Sequence, residues 1–294
     1  MTGTREAAIG SGPIGLVLGG GGARGLAHLG VLRALEEREC EIAAVAGCSL
    51  GGIVGALIGS GFTSGDVVDV IRDTRLLDLL DLGARGGLVG GKGIRRLLRE
   101  HVRENFEDLD LPLRVTAVDA QRGTLVILGD GPLVPALLAT SALPGILSPV
   151  EHLDRVLIDG GLLNNLPIDV IRTMTLAPVV AVDVAPPPDR ELDFDRGHGF
   201  VDTLRRIGQR EFRTLTVELF MKSFDVPQRL ITDVRLALTP PELLIRPRLP
   251  VNLGVEDFHR LDEAVELGYE AAVEALDRGE PAGSPDETDE RRDP

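Results

Sequence analysis

The sequence predicts an α/β fold of three layers, α/β/α, with helices covering both faces of a mostly parallel central sheet. Two observations carry that expectation. Short apolar runs of strand length alternate with segments of helical period along most of the chain. Runs that are apolar throughout suit strands buried on both faces. A third observation says where a site would lie. Glycine-rich turns follow three of these runs, and open α/β sheets build their sites beyond the carboxyl ends of strands.

Residues 1–12 are small and polar and read as a mobile leader, ahead of one domain at 13–278. Residues 14–18 are a buried strand. Residues 24–38 carry Leu26, Leu29, Leu32 and Leu35 at helical spacing. The second strand is 42–46, followed by a helix at 50–58. A short helix at 63–73 is capped near Thr63 or Ser64. Residues 76–93 mix Leu, Asp and Gly and read as a flap, and 94–105 as a basic helix. Strands 113–119 and 124–128 form a hairpin around Gln121-Arg122-Gly123. Residues 132–149 are apolar and uncharged, broken by Pro135 and Pro144. A strand at 156–158 runs into Asp159-Gly160-Gly161. Pro167 suits the first turn of a helix to 173, and 179–184 is another buried strand. A proline- and charge-rich loop at 186–199 leads into a long helix at 201–224. Residues 234–238 and 243–245 read as strands, and a helix at 255–276 closes the fold. Residues 279–294 form an acidic, disordered tail.

The chain has 294 residues, 43% of them hydrophobic, which is enough for a substantial core. Aromatics make up 3% and Trp is absent, so Leu, Val, Ile and Ala must fill that core. The net charge of −15 argues against nucleic acid as a partner and against broad attraction to anionic bilayers. Cys40 and Cys48 give no disulfide framework. With no charged-then-apolar signal at the start, they point to a cytoplasmic location, at most peripheral to a membrane. Residues 42–62 are uncharged, long enough to span a bilayer, and place Gly47, Gly51, Gly55 and Gly59 at membrane-helix spacing. Six glycines in that run favour a strand, a turn and a buried helix instead.

Gly47-Cys48-Ser49-Leu50-Gly51 is Gly-x-Ser-x-Gly between two apolar runs. This is the nucleophile-elbow pattern, in which a tight strand-to-helix turn pushes the Ser49 hydroxyl clear of the backbone. Gly47 and Gly51 remove Cβ atoms that would clash there. A serine that merely caps the next helix is the plainer reading. Cys48 is expected to point away from the site as a small buried side chain. Upstream, Gly19-Gly20-Gly21-Gly22-Ala23-Arg24-Gly25 follows a strand and opens a helix. Amides of Gly20, Gly21 and Gly22 left unpaired there could stabilise an oxyanion. The same residues fit a dinucleotide fingerprint, but the next strand ends without the acid that would hold a ribose.

A serine nucleophile needs a base. His198 sits in Asp195-Arg196-Gly197-His198-Gly199, and His259 on the last helix beside Asp257 and Arg260. Neither stands in a motif. Asp159 follows an apolar strand, and Gly160 and Gly161 let a backbone or a substrate approach its carboxylate. A structural loop aspartate would look the same.

Together, residues 16–25, Gly47-Cys48-Ser49-Leu50-Gly51, Asp159-Gly160-Gly161 and Thr140-Ser141-Ala142-Leu143-Pro144-Gly145 resemble the patatin-like phospholipase family in order and spacing. The resemblance covers roughly 13–184 and fades beyond Pro186. It implies a patatin-like core and a Ser49–Asp159 dyad with no histidine. It implies an oxyanion held by the turn at 20–22 with help from Arg24, and neither cofactor nor metal. The implied activity is that of a carboxylic ester hydrolase of phospholipase A or lysophospholipase type. The substrate would be a lipid or acyl ester, passing through an acyl-serine. A thioesterase or acyltransferase with the same dyad stays open, as does a scaffolding protein that turns over poorly. Burial beside 156–158 and 132–149 would raise the Asp159 pKa towards a useful range. Leu133, Val134, Leu137 and Leu138 could line an acyl groove or belong to the core. Arg205, Arg206, Arg210 and Arg213 form a stripe that could touch lipid headgroups in transient membrane contact, or a solvated face.

Overall fold

The computed structural model of the chain describes residues 12–74, 91–186, 209–254 and 257–278. Its strands are β1 (Ile14–Leu18), β2 (Ile42–Gly47), β3 (Leu113–Asp119), β4 (Thr124–Leu128), β5 (Val150–His152), β6 (Arg155–Asp159), β7 (Val179–Val182) and β8 (Leu243–Ile245). They form one eight-stranded sheet whose hydrogen-bonded neighbours run β5–β6–β3–β2–β1–β7–β8, with β4 also on β3. β1, β2, β3, β7 and β8 are parallel, while β4 and β6 run against β3. Every residue of β1 and β7 is buried, which is why those runs are apolar without alternation.

The helices are α1 (Ala27–Glu37), α2 (Leu50–Gly59), α3 (Ser64–Asp73), α4 (Lys92–His101), α5 (Leu133–Thr140), α6 (Gly161–Asn164), α7 (Ile168–Ile171), α8 (Gln209–Leu238) and α9 (Leu261–Arg278). Alternate residues of β1 divide them between two layers. Leu16 and Leu18 join the larger core with α1, α2, α5 and α9. Val17 joins a smaller one with Ile168 and Ile171 of α7 and Leu236 of α8. The last helix is keyed to the first by two glycines. A Cβ on Gly30 would overlap the carbonyl oxygen of Val265, and one on Gly268 that of Ala27.

Several expectations need correction. The stretch 234–238 is not a strand: α8 continues through Pro227 to Leu238. Val226, Leu230, Val234 and Leu238 face solvent at four-residue spacing, while Thr232 is buried, so the Val and Leu content belongs to a helix. Arg229 on Asp183 and Arg235 on Asp169 hold α8 down beyond the proline. The helix expected from residue 24 opens as a 3-10 turn at Gly22–Leu26, and β5 was not foreseen. Residues 42–62 are β2, a turn and α2, all packed in the domain. Among the described residues no single helix is long and apolar enough to cross a membrane; α2 and α3 pass that test only together and are bent by 118°. Leu133, Val134, Leu137 and Leu138 lie in the core. Most of the expected leader and flap, the acidic tail, His198 and the side chains of the arginine stripe lie outside the described residues.

Candidate active site

The pairing of β3 explains how two distant segments meet. Val115 pairs with Gly47 on one edge and Leu128 on the other. Ala117 pairs with Asp159 on one edge and Val126 on the other. Because β4 occupies the second edge throughout, β2 and β6 share the first. They run in opposite directions, so their carboxyl ends arrive head to head, on either side of Thr116. The residue after β2 is Cys48, then Ser49, and the last residue of β6 is Asp159.

Ser49 stands at φ 52, ψ −126, a conformation an L side chain rarely adopts, at the junction of β2 and α2. Its amide is held by Thr140 Oγ1 at 2.9 Å, from the Thr140-Ser141-Ala142-Leu143-Pro144-Gly145 segment. The turn is possible because Gly51 lets α2 lie on the end of β1: a Cβ there would overlap the Leu18 carbonyl. Ser49 is half-buried, and its hydroxyl is among the groups that pull the Asp159 pKa down.

Asp159 is 4% exposed. Burial pushes its pKa up to about 6, against the stabilising pull of the Gly161 amide, the Ser49 hydroxyl and the Cys48 thiol. The Gly161 N–H donates to Oδ1 at 2.8 Å. Its own amide donates to Ala142 O at 3.0 Å, so the 140–145 segment holds both the serine and the carboxylate. Cys48 is fully buried as expected, but it does not point away: Sγ lies 3.6 Å from Asp159 Oδ1 as a weak donor. Burial, the first cause, and the neighbouring carboxylate push the Cys48 thiol well above its ordinary range.

The glycine turn is held one peptide at a time. His28, wholly buried, places Nε2 2.7 Å from Gly19 O. A carbonyl only accepts, so Nε2 carries the proton. Burial pushes this histidine down to about 4 and keeps it neutral. The Gly20 N–H donates to Asn165 O at 3.2 Å, and the Arg24 N–H to Gly21 O at 3.2 Å. Among the described residues the amides of Gly21 and Gly22 donate to no protein group, and both residues are half-buried where Gly20 is buried. Of the three amides expected for an oxyanion, that of Gly20 is therefore engaged. The Arg24 side chain also departs from expectation. It is 3% exposed and donates to the carbonyls of Val184 at 2.8 Å and Pro250 at 3.1 Å, tying the turn to the segments after β7 and β8.

His259 is exposed, 3.9 Å from Asp257 Oδ1. Among the described residues no cluster of His, Cys, Asp and Glu could hold a metal ion. His28, Thr116 and Asn165 escaped the sequence reading, and Thr140 was read only as part of the 140–145 segment, not as the partner of the Ser49 amide. Their only signal was a polar residue inside an apolar run, which cannot say which distant backbone it will meet.

A serine on a strained strand-to-helix turn, over a sheet covered on both faces, defines an α/β protein with an elbow of the hydrolase kind. The chain belongs to the patatin-like phospholipase family, whose model matches residues 16–172. It is 30% identical over 283 residues to an uncharacterised NTE family protein of Mycobacterium tuberculosis, covering 90% of this chain and 46% of that protein. It is 31% identical over 299 residues to lysophospholipase NTE1 of Mycosarcoma maydis, covering 95% of this chain and 16% of that one. The chain thus spans about half, or less, of the length of these curated relatives. The crystal structure of VipD from Legionella pneumophila shares the fold at a TM-score of 0.56 and 14% identity, covering 91% of this chain and 67% of that one.

Proposed function

We propose that the chain is a serine acyl-hydrolase acting on lipid esters, with Ser49 as nucleophile and Asp159 as its base. The observation that supports this most is the head-to-head meeting of β2 and β6, which brings the turn carrying Ser49 to the end of the strand that carries the buried Asp159 carboxylate. A carboxylate with an ordinary pKa is a feeble base; one raised to about 6 by burial is better matched to a hydroxyl proton yet still ionised near neutrality.

Asp159 takes the hydroxyl proton as Ser49 Oγ attacks the ester carbonyl. The carbonyl oxygen gains the negative charge and accepts from the Gly21 and Gly22 amides, and from that of Leu50, the first residue of α2. The carbon–oxygen bond to the alcohol then breaks. Protonated Asp159 gives its proton to the leaving alkoxide, and the acyl group stays on Ser49. Water, losing its proton to Asp159, attacks the acyl-serine; the bond to Ser49 Oγ then breaks, the fatty acid leaves, and Asp159 returns the proton to Oγ. Neither step needs a cofactor. A lysophospholipid is the first substrate to try, since the Mycosarcoma maydis relative carries that activity in its name. The proposed domain is 13–278, working at or near a membrane surface from the cytoplasm.

Ser49→Ala should fold as the wild type does by circular dichroism and lose turnover of a short-chain p-nitrophenyl ester and of lysophosphatidylcholine. A variant that keeps more than about a tenth of the wild-type rate would place the nucleophile elsewhere.

A further inference from the structure

We infer that Asn165 is a positioning residue that aims the Gly21 amide at the oxyanion by holding the carbonyl of Gly20. The inference rests on the proposed acyl transfer at Ser49. Asn165 lies just beyond α6, six residues after Asp159 in the chain, and is 2% exposed. It grips Gly20 twice: its main-chain oxygen accepts from the Gly20 N–H at 3.2 Å, and its Nδ2 donates to Gly20 O at 3.0 Å.

The consequence follows from peptide geometry. In a trans peptide the carbonyl and the next N–H lie in one plane and point in opposite directions. Holding the Gly20 carbonyl towards Asn165 therefore turns the Gly21 N–H away from it. His28 acts in the same way one peptide earlier, where its bond to Gly19 O turns the Gly20 N–H towards Asn165. Between glycines this orientation has no side chain of its own to enforce it, so it depends on such outside holds. Asn165 differs from His28 in coming from the segment that carries the candidate base. One side chain thereby fixes the oxyanion turn relative to Asp159. Space around it is tight: a Cβ on Gly20 would stand 2.5 Å from Asn165 Oδ1 and 3.2 Å from Ser49 Cβ.

Losing an oxyanion donor costs a factor of about 10²–10³ in kcat, so misaiming one should cost about 10–100-fold. Asn165→Asp keeps the volume and replaces the Nδ2 donor by an acceptor; Asn165→Ala removes both. We expect both to lose kcat on a p-nitrophenyl ester with KM changed by less than about threefold. The inhibition constant of a trifluoromethyl ketone, whose adduct with the serine places an oxyanion among the same amides, should rise by the same factor. A merely structural role would not move that constant in step with kcat. N165D carries the test if N165A does not fold. Turnover within about threefold of wild type, or a kcat loss with unchanged ketone affinity, would overturn the inference. A wild-type enzyme that forms no adduct at Ser49 would overturn the proposed function, and this inference with it.

Discussion

Ser49, at φ 52 and ψ −126, carries backbone strain of about 1–3 kcal/mol, which the bond from its amide to Thr140 and the packing of Gly51 on β1 help to hold. Asp159 stores more. Its carboxyl is raised from 3.8 to about 6 in the folded protein. The fold therefore favours the neutral acid, and stability present below pH 4 is lost as pH rises through about 6. The difference is about 3 kcal/mol at 1.36 kcal/mol for each pH unit. Asp159→Asn mimics the neutral acid. At pH 8 it should melt higher than the wild type, by an amount equivalent to about 2–3 kcal/mol, with the gain vanishing at pH 4. Melting curves at both pH values would decide; an N variant less stable at pH 8 would mean that the carboxylate is stabilised by its donors rather than strained. His28 works in the other direction. Lowered from 6.5 to about 4, it contributes stability above pH 6.5 that is lost as pH falls through about 4. Comparing each variant with wild type at the same pH removes that opposing slope.

At the scale of elements, the strands other than β5 and the α1 and α2 helices were legible because each runs on local patterning: apolar runs, leucines at helical spacing, glycines at turns. The end of the chain was not. Residues 234–238 hold Val, Leu and Ala, and the sequence offers no sign that Arg229 and Arg235 will find Asp183 and Asp169 and carry α8 past Pro227. α9 was foreseen as a helix, but its place against α1 depends on two glycines more than two hundred residues apart in the chain. Gly30→Ala should cost at least about 1–3 kcal/mol, since the new methyl meets the Val265 backbone and not a side chain that can turn aside. Chemical denaturation measures this directly. An unchanged midpoint would show that α9 shifts freely on α1, and that Arg24 rather than helix packing holds the C-terminal segments.

Over the whole molecule, the serine, the aspartate and the glycine turn were legible because each sits in a short motif at a strand end. Their mutual placement was implied only by the family resemblance, because it arises from β2 and β6 meeting on one edge of β3, a pairing that no local pattern encodes. For the same reason Cys48 was expected to turn away from the aspartate it touches, and Arg24 to face an oxyanion when it binds the carbonyls of Val184 and Pro250. Asn165 and His28 were overlooked because their partners are main-chain oxygens of the glycine turn. The central claim is that Asp159 activates Ser49. The most direct measurement is the rate of fluorophosphonate labelling across pH, with the adduct mapped by mass spectrometry, for wild type and Asp159→Asn. The account predicts an adduct on Ser49 whose rate of formation rises as pH passes about 6, and a loss of about 10²–10⁴ in that rate for D159N. An adduct on another residue, or a D159N protein that labels at the wild-type rate, would contradict it.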